Sequence, residues 1–117
     1  MHKKGKLDDA ARGEYLVGVK LPPESGLRCD KMQIFFNKLN PADFPGKLHV
    51  HEKMDEVVIV LKGKFTVEMD GERLELREQE YVFKAAGLPG RALAADSGTE
   101  VLIIKAPSVE NDAKIID

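Results

Sequence analysis

The sequence predicts an all-β protein whose antiparallel strands form a sandwich or a closed barrel. Two observations carry this prediction. Short runs rich in β-branched and aromatic residues recur along the chain, and each is bounded by turn-forming residues. Helix-period patterns are scarce, so about eight or nine short strands and no helix are expected, a spacing typical of sandwiches and barrels.

The predicted strands follow one another with turns between them. Their ranges are 15–20, 32–39, 47–51, 56–62, 64–69, 73–78, 81–84, 91–95 and 99–106. Asp70-Gly71 is the clearest turn, because Asp-Gly between two alternating strands is typical of a type I′ hairpin. The polar tail 108–117 and the first dozen residues are expected to be frayed or to lie over the surface.

The strand over 56–62 differs from its neighbours because VVIVL has no polar–apolar alternation. Such a strand is covered on both faces, here by the barrel interior and by another sheet or a partner subunit. A length of 117 residues favours one domain, which we place over 1–117 with its core at about 15–107. No linker and no helix-turn-helix are recognisable, which excludes a complete DNA-binding regulator.

Composition excludes several classes of partner. The formal net charge of −2 gives no electrostatic reason to bind nucleic acid or anionic membranes. Cys29 is the single cysteine, so no intrachain disulfide forms and a reducing compartment is favoured. No apolar segment follows the basic N-terminal residues and no window is long enough to span a bilayer, so a cytoplasmic location is expected.

Two of the three histidines lie in the stretch LHVHEKMDEVVIVLKG at 48–63. His49 and His51 share one face of a strand, because side chains two residues apart point the same way. After a polar turn, Glu56 would open the next strand beside the histidine strand. Two imidazoles and a carboxylate suit Fe, Mn, Ni, Cu or Zn. The alternative is that an isolated His-x-His is merely two half-exposed histidines.

HVHEKMDEVVIVLKG resembles the first motif of the cupin superfamily, H-x-H, three or four residues, E, six residues, G. The matching residues are His49, His51, Glu56 and Gly63. QEYVFKAAGLPG at 79–90 is loosely similar to the second cupin motif. The resemblance, which covers roughly residues 30–106, is to the small single-domain cupins. It implies a double-stranded β-helix (jelly-roll) barrel, often a homodimer, with a divalent metal ion on the histidines and the glutamate.

Gly90 is the main departure from the cupin pattern, because metal-binding relatives place a third histidine there. No histidine follows His51, and His2 lies in a tail that is not expected to ligate. One outcome is a metal site with three protein ligands, His49, His51 and Glu56, of the kind used by non-haem iron oxygenases. The other is a metal-free ligand cavity with a wider mouth.

Three functions therefore stay open. The first is a metal-dependent enzyme, such as an oxygenase, isomerase, cyclase or decarboxylase, acting on a small molecule. The second is a module that binds or senses a small ligand without metal, and the third is a structural dimer with a vestigial cavity. Six large side chains are expected in the core rather than in a pocket: Met32, Phe36, Met54, Met69, Tyr81 and Phe83. Arg73 and Arg91 are expected to be solvated unless an anionic substrate meets them.

Overall fold

The described part of the chain, residues 1–10 and 14–116 of a computed structural model, forms ten strands in two antiparallel sheets. The strands are β1 (Glu14–Val17), β2 (Gln33–Lys38), β3 (His49–His51), β4 (Asp55–Lys62), β5 (Lys64–Met69), β6 (Glu72–Arg77), β7 (Tyr81–Lys84), β8 (Pro89–Ala95), β9 (Glu100–Ala106) and β10 (Ala113–Ile115). The first sheet has the order β1-β2-β9-β4-β7, and the second has the order β10-β3-β8-β5-β6. The all-β prediction is confirmed.

Helical structure in the described residues is limited to three short 3₁₀ segments, Leu7–Asp9, Pro23–Ser25 and Pro41–Asp43. None of the helices found there has the length and apolar character needed to cross a bilayer. Residues 11–13 and 117, which the sequence analysis placed in the two tails, lie outside the described residues.

The core lies between the two sheets. Its buried apolar side chains come from both of them: Leu39, Val58, Val60, Phe65, Val67, Leu76 and Val101. Strand β4 shows how the apolar run VVIVL is used. Val58 and Val60 are buried inside, whereas Val57 and Ile59 alternate to the outer face and are only half-buried. The expectation that a partner subunit covers this outer face stays a prediction.

Two turns have the backbone conformation expected from their residues. Asp70 and Gly71 have φ values of 52° and 81°, as a type I′ hairpin between β5 and β6 requires. Gly63 has a φ of 86°, and a Cβ added there would lie 2.8 Å from Thr99 Cα. Both the backbone angle and the close approach of Thr99 require glycine at the reversal from β4 into β5.

The C-terminal tail is more ordered than the sequence suggested. Residues 113–115 form β10, which pairs antiparallel with β3. Just before it, the buried carboxylate of Asp112 accepts hydrogen bonds from the backbone N–H groups of Lys53 and Met54, each at 3.0 Å. Of the two alternatives expected for the tail, fraying is therefore wrong for this segment, because Asp112 attaches it to the turn that follows the histidine strand. The segment does lie over the surface, since residues 113–115 are exposed.

Several predicted core residues lie on the surface instead. Phe36 and Met54 are buried as expected, with exposed fractions of 1% and 3%. Tyr81 and Phe83 are 70% and 57% exposed, and Met32 is 42% exposed. The alternation of β7 explains the first two, because Val82 and Lys84 take the inward positions of this edge strand.

We expect Asp112→Ala to lower the free energy of unfolding by about 1–3 kcal/mol, because it leaves two backbone N–H groups without their charged acceptor. Urea denaturation followed by circular dichroism measures the loss. Glu110→Ala is the matched control, since Glu110 is exposed and its removal should change stability by less than about 0.5 kcal/mol. Equal losses in the two variants would show that Asp112 does not fasten the tail.

Candidate functional site

The predicted histidine pair lies on β3, the short strand between β10 and β8. His49 and His51 point to the same side, with ring centroids 5.0 Å apart and ring planes at 89°. His49 is half-buried and His51 is only 4% exposed. The prediction that alternation would bring the two imidazoles together is confirmed.

Glu56 reaches the histidines from a different direction than the sequence suggested. It lies on β4, which belongs to the other sheet, so it faces His51 across the barrel interior and not along one sheet. Glu56 Oε2 is 3.9 Å from His51 Nε2, and the glutamate is 8% exposed. The expectation of neighbouring strands is wrong because the turn after His51 carries the chain from one sheet to the other.

Two lysines flank Glu56 on its neighbouring strands. Lys84 on β7 and Lys105 on β9 are the cross-strand partners of Glu56, so all three side chains share the inner face. Lys105 Nζ lies 3.5 Å from Glu56 Oε2. Lys84 is 3% exposed, and no carboxylate of the described residues lies within ion-pair distance of its Nζ.

The two lysines were missed in the sequence, although a signal was present. Lys84 has the same strand parity as the inward Val82, and Lys105 has the same parity as Val101 and Ile103. A lysine at an inward position of an apolar strand is unusual, because lysine is almost never fully buried without a partner. Inward parity of this kind was therefore the signal by which the two lysines could have been found.

Gly90 explains how Lys84 is accommodated. It pairs with His49 across β8 and β3, so a side chain at this position would point toward the histidines. A Cβ added at Gly90 would lie 3.2 Å from Lys84 Nζ and 3.0 Å from Met69 Sδ. The ammonium group thus occupies the space that opens where Gly90 has no side chain.

A cavity of about 210 Å³ lies between the sheets at this point. Its wall combines polar and apolar side chains: His49, Glu56, Lys84 and Lys105 with Val58, Phe65, Val67, Met69, Ala92 and Ile103. Arg91 borders it, but its guanidinium pairs with Glu68 at 3.1 Å. Arg73 and Tyr81 are exposed and take no part in this wall.

A second cavity of about 300 Å³ adjoins His51 and Lys105.

The histidines differ in their hydrogen bonds. His49 Nδ1 lies 2.9 Å from the Lys47 carbonyl oxygen, to which it donates, and this leaves Nε2 as the acceptor nitrogen. Neither ring nitrogen of His51 has a hydrogen-bond partner among the described residues. Burial, and next the positive charge of Lys105, lower the pKa of His51 to about 4, although Glu56 opposes the shift.

The pKa of Lys84 is also lowered from its ordinary value. Burial is the main cause, Lys105 adds to it, and the attraction of Glu56 works against it. The negative charge of Glu56 therefore does not fully compensate the ammonium group of Lys84. This agrees with the ion-pair geometry, in which Glu56 contacts Lys105 instead.

This arrangement is a poor fit for a divalent metal ion. Among residues 1–10 and 14–116, no group of three or more His, Cys, Asp or Glu side chains is close enough together to hold one. Lys105 Nζ lies 3.5 Å from Glu56 Oε2, the oxygen that faces His51, and Lys84 places a second positive charge beside Gly90. The donor set of His49, His51 and Glu56 would fit a metal only if both lysines moved away or lost their charge.

Comparison with known proteins gives a family and a fold. A family model described as cupin domain matches residues 35–104. A protein from Planctomyces limnophilus superposes with a TM-score of 0.71 at 15% identity, covering 97% of this chain and 96% of that one. KdgF from Halomonas sp. gives 0.64 at 22% identity, covering 70% and 74%. The similarities confirm the jelly-roll barrel.

The DMSP lyase DddQ from Ruegeria pomeroyi DSS-3 is a further structural neighbour. Its TM-score is 0.66 at 18% identity, with 89% of this chain and 51% of that protein covered. The chain thus spans about half the length of DddQ. No curated protein matches the sequence significantly.

We expect the free energy of unfolding to fall as the pH drops from about 6.5 to about 4, with His51 as one cause. The unfolded chain binds a proton at His51 in this range that the native protein, with a pKa of about 4, does not. At about 1.4 kcal/mol per pKa unit, the contribution is roughly 3 kcal/mol. Urea unfolding at pH 7.5 and 4.5 should show a smaller difference in His51→Gln than in the wild type.

His2→Gln is the control for this measurement, because it removes an exposed histidine of the N-terminal tail. It should keep the pH dependence of the wild type. An unchanged pH dependence in His51→Gln would mean that His51 titrates normally in the native protein.

Proposed function

Since this chain belongs to the cupin domain family, whose model matches residues 35–104, we propose that its barrel binds a small organic molecule without a resident metal ion. One observation carries the proposal. The interior cavity has a largely apolar wall with two lysines beside the candidate metal ligands: Lys84 lies beside Gly90, and Lys105 contacts Glu56. The protein then acts by binding or sensing its ligand.

The composition of the cavity wall supports a small ligand. Binding sites for small molecules are mostly apolar, with a few convergent polar groups that fix orientation. This cavity has that composition, and its volume of about 210 Å³ lies below the range of about 300–1,000 Å³ that drug-sized ligands use. A bound molecule would also supply a partner for Lys84, which lines this cavity and has no described carboxylate within ion-pair distance.

Ligand binding can be tested by thermal unfolding with three compounds of one size: benzoate, benzamide and benzyl alcohol. At 100 times its Kd a ligand stabilises the native state by about 2.7 kcal/mol. We expect at least one compound to raise the Tm, and a chelator not to abolish the effect. Ala92→Leu should weaken binding, because its longer side chain extends into the cavity.

Ala94→Leu is the matched control on the same strand, since Ala94 is exposed and does not line the cavity. It should bind as the wild type does. Stabilisation that appears only after a transition metal is added, or that Ala92→Leu leaves unchanged, would contradict metal-free binding in the cavity.

A divalent transition metal at His49, His51 and Glu56 is the second candidate, and the hydrogen bonds of the histidines favour it. His49 donates its Nδ1 proton to a carbonyl, which is how metal-binding histidines are commonly oriented. His51 keeps both nitrogens without a partner. Bound there, Fe, Mn, Ni, Cu or Zn would supply Lewis-acid or oxygen-activating chemistry.

Element-resolved metal analysis separates the two candidates. Protein expressed with Fe, Mn, Ni, Cu and Zn in the medium is analysed as wild type and as His49→Ala. We expect much less than one metal ion per chain in both, because two ammonium groups repel a divalent cation at this site. About one ion per chain in the wild type, lost in His49→Ala, would establish the metal site instead.

A further inference from the structure

The polar wall of the cavity carries more buried positive charge than negative charge. Lys84 and Lys105 are the two ammonium groups, and Glu56 is the single carboxylate among them. Arg91 is already paired with Glu68. The surplus at the cavity wall is therefore one positive charge.

Lys84 is the group that lacks a counterion. Glu56 contacts Lys105 at 3.5 Å, whereas no described carboxylate lies within ion-pair distance of Lys84 Nζ. Lys84 is nevertheless only 3% exposed. A buried ammonium without an opposite charge costs several kcal/mol, so the native protein gains stability if an anion binds beside it.

An anion in the cavity can reach Lys84 Nζ. The ammonium lies beside Gly90, and Lys84 lines the cavity together with Lys105. Beyond the polar side chains the wall is apolar, with Phe65, Val67, Met69 and Ile103 around the same space. The cavity thus offers a charged end and an apolar body.

Resting on the small-molecule function above, we propose that Lys84 and Lys105 bind the carboxylate of a small monocarboxylic acid. The apolar body of the acid packs against Val67, Met69 and Ile103. A monoanion matches the surplus of one positive charge, whereas a phosphate dianion would leave a negative charge buried. Lysine–carboxylate hydrogen bonds are charge-assisted and about twice as strong as neutral ones, so they fix the orientation of the ligand.

The first experiment compares acids with amides of the same shape on the wild-type protein. Benzoate is paired with benzamide and isobutyrate with isobutyramide, and binding is measured by calorimetry or by ligand-observed NMR. We expect each acid that binds to do so about tenfold or more tightly than its amide, because a hydrogen bond to a charged group contributes about 1.5–3 kcal/mol. Inorganic phosphate is expected to compete weakly.

The second experiment changes the charges of the wall. Lys84→Met keeps the length of the side chain and removes the charge, so it should weaken acid binding about tenfold and leave amide binding unchanged. Lys62→Met, an exposed lysine on the strand of Glu56, is the control and should change neither. Glu56→Gln removes the carboxylate that competes with the ligand, and it should tighten acid binding. If Glu56 instead held a metal ion, Glu56→Gln would weaken binding at this site.

The outcomes separate this inference from the proposed function. Equal affinity for acids and amides, an unchanged acid affinity in Lys84→Met, or phosphate binding more tightly than benzoate would overturn the carboxylate site and leave small-molecule binding standing. If neither acids, amides nor benzyl alcohol bind at millimolar concentration, both proposals fall. If Lys84→Met does not fold, the acid–amide comparison and Glu56→Gln still decide the question.

Discussion

A carboxylate buried between two β-sheets requires positive charge close by, and the site depends on how this requirement is met at Glu56. The register of β4 with β7 and β9 places one lysine on each side of it. Lys105 makes the ion pair, and Lys84 extends to the gap beside Gly90. The same two positive charges help to keep His51 neutral. The fixed charges of the site therefore come from the side chains of Glu56, Lys84 and Lys105.

The strands were predictable from the sequence where local chemistry determines them. Strand β5 has the bounds that were predicted, and Asp70-Gly71 forms the expected turn, because hairpin geometry depends on residues adjacent in the chain. Strand β10 was missed for the opposite reason. Three residues between polar neighbours form this strand by pairing with β3, next to the contact of Asp112 with the backbone of Met54, and both partners are distant in sequence.

The candidate site was likewise predictable only where it depends on residues adjacent in the chain. Alternation alone brings His49 and His51 together, whereas no local pattern says which sheet Glu56 joins. The sequence showed that Gly90 has no side chain where a histidine was expected, but it did not show that Lys84, from another strand, lies beside it. The surface shows a similar limit. Tyr81 and Phe83 read as core residues, yet they are exposed because β7 is an edge strand with its lysine turned inward.

The contact between Lys84 and the space at Gly90 also constrains how this barrel can change. Positions 84 and 90 lie in different sheets, but a Cβ at 90 would lie 3.2 Å from Lys84 Nζ, so the lysine would have to shift. Substitutions at the two positions are therefore epistatic. A histidine at 90 would have to displace the end of this lysine and also fit against Met69 Sδ and the Glu68 carbonyl oxygen, so shortening the lysine first should favour it. In sequences that share this barrel, the two positions should vary together and not one at a time.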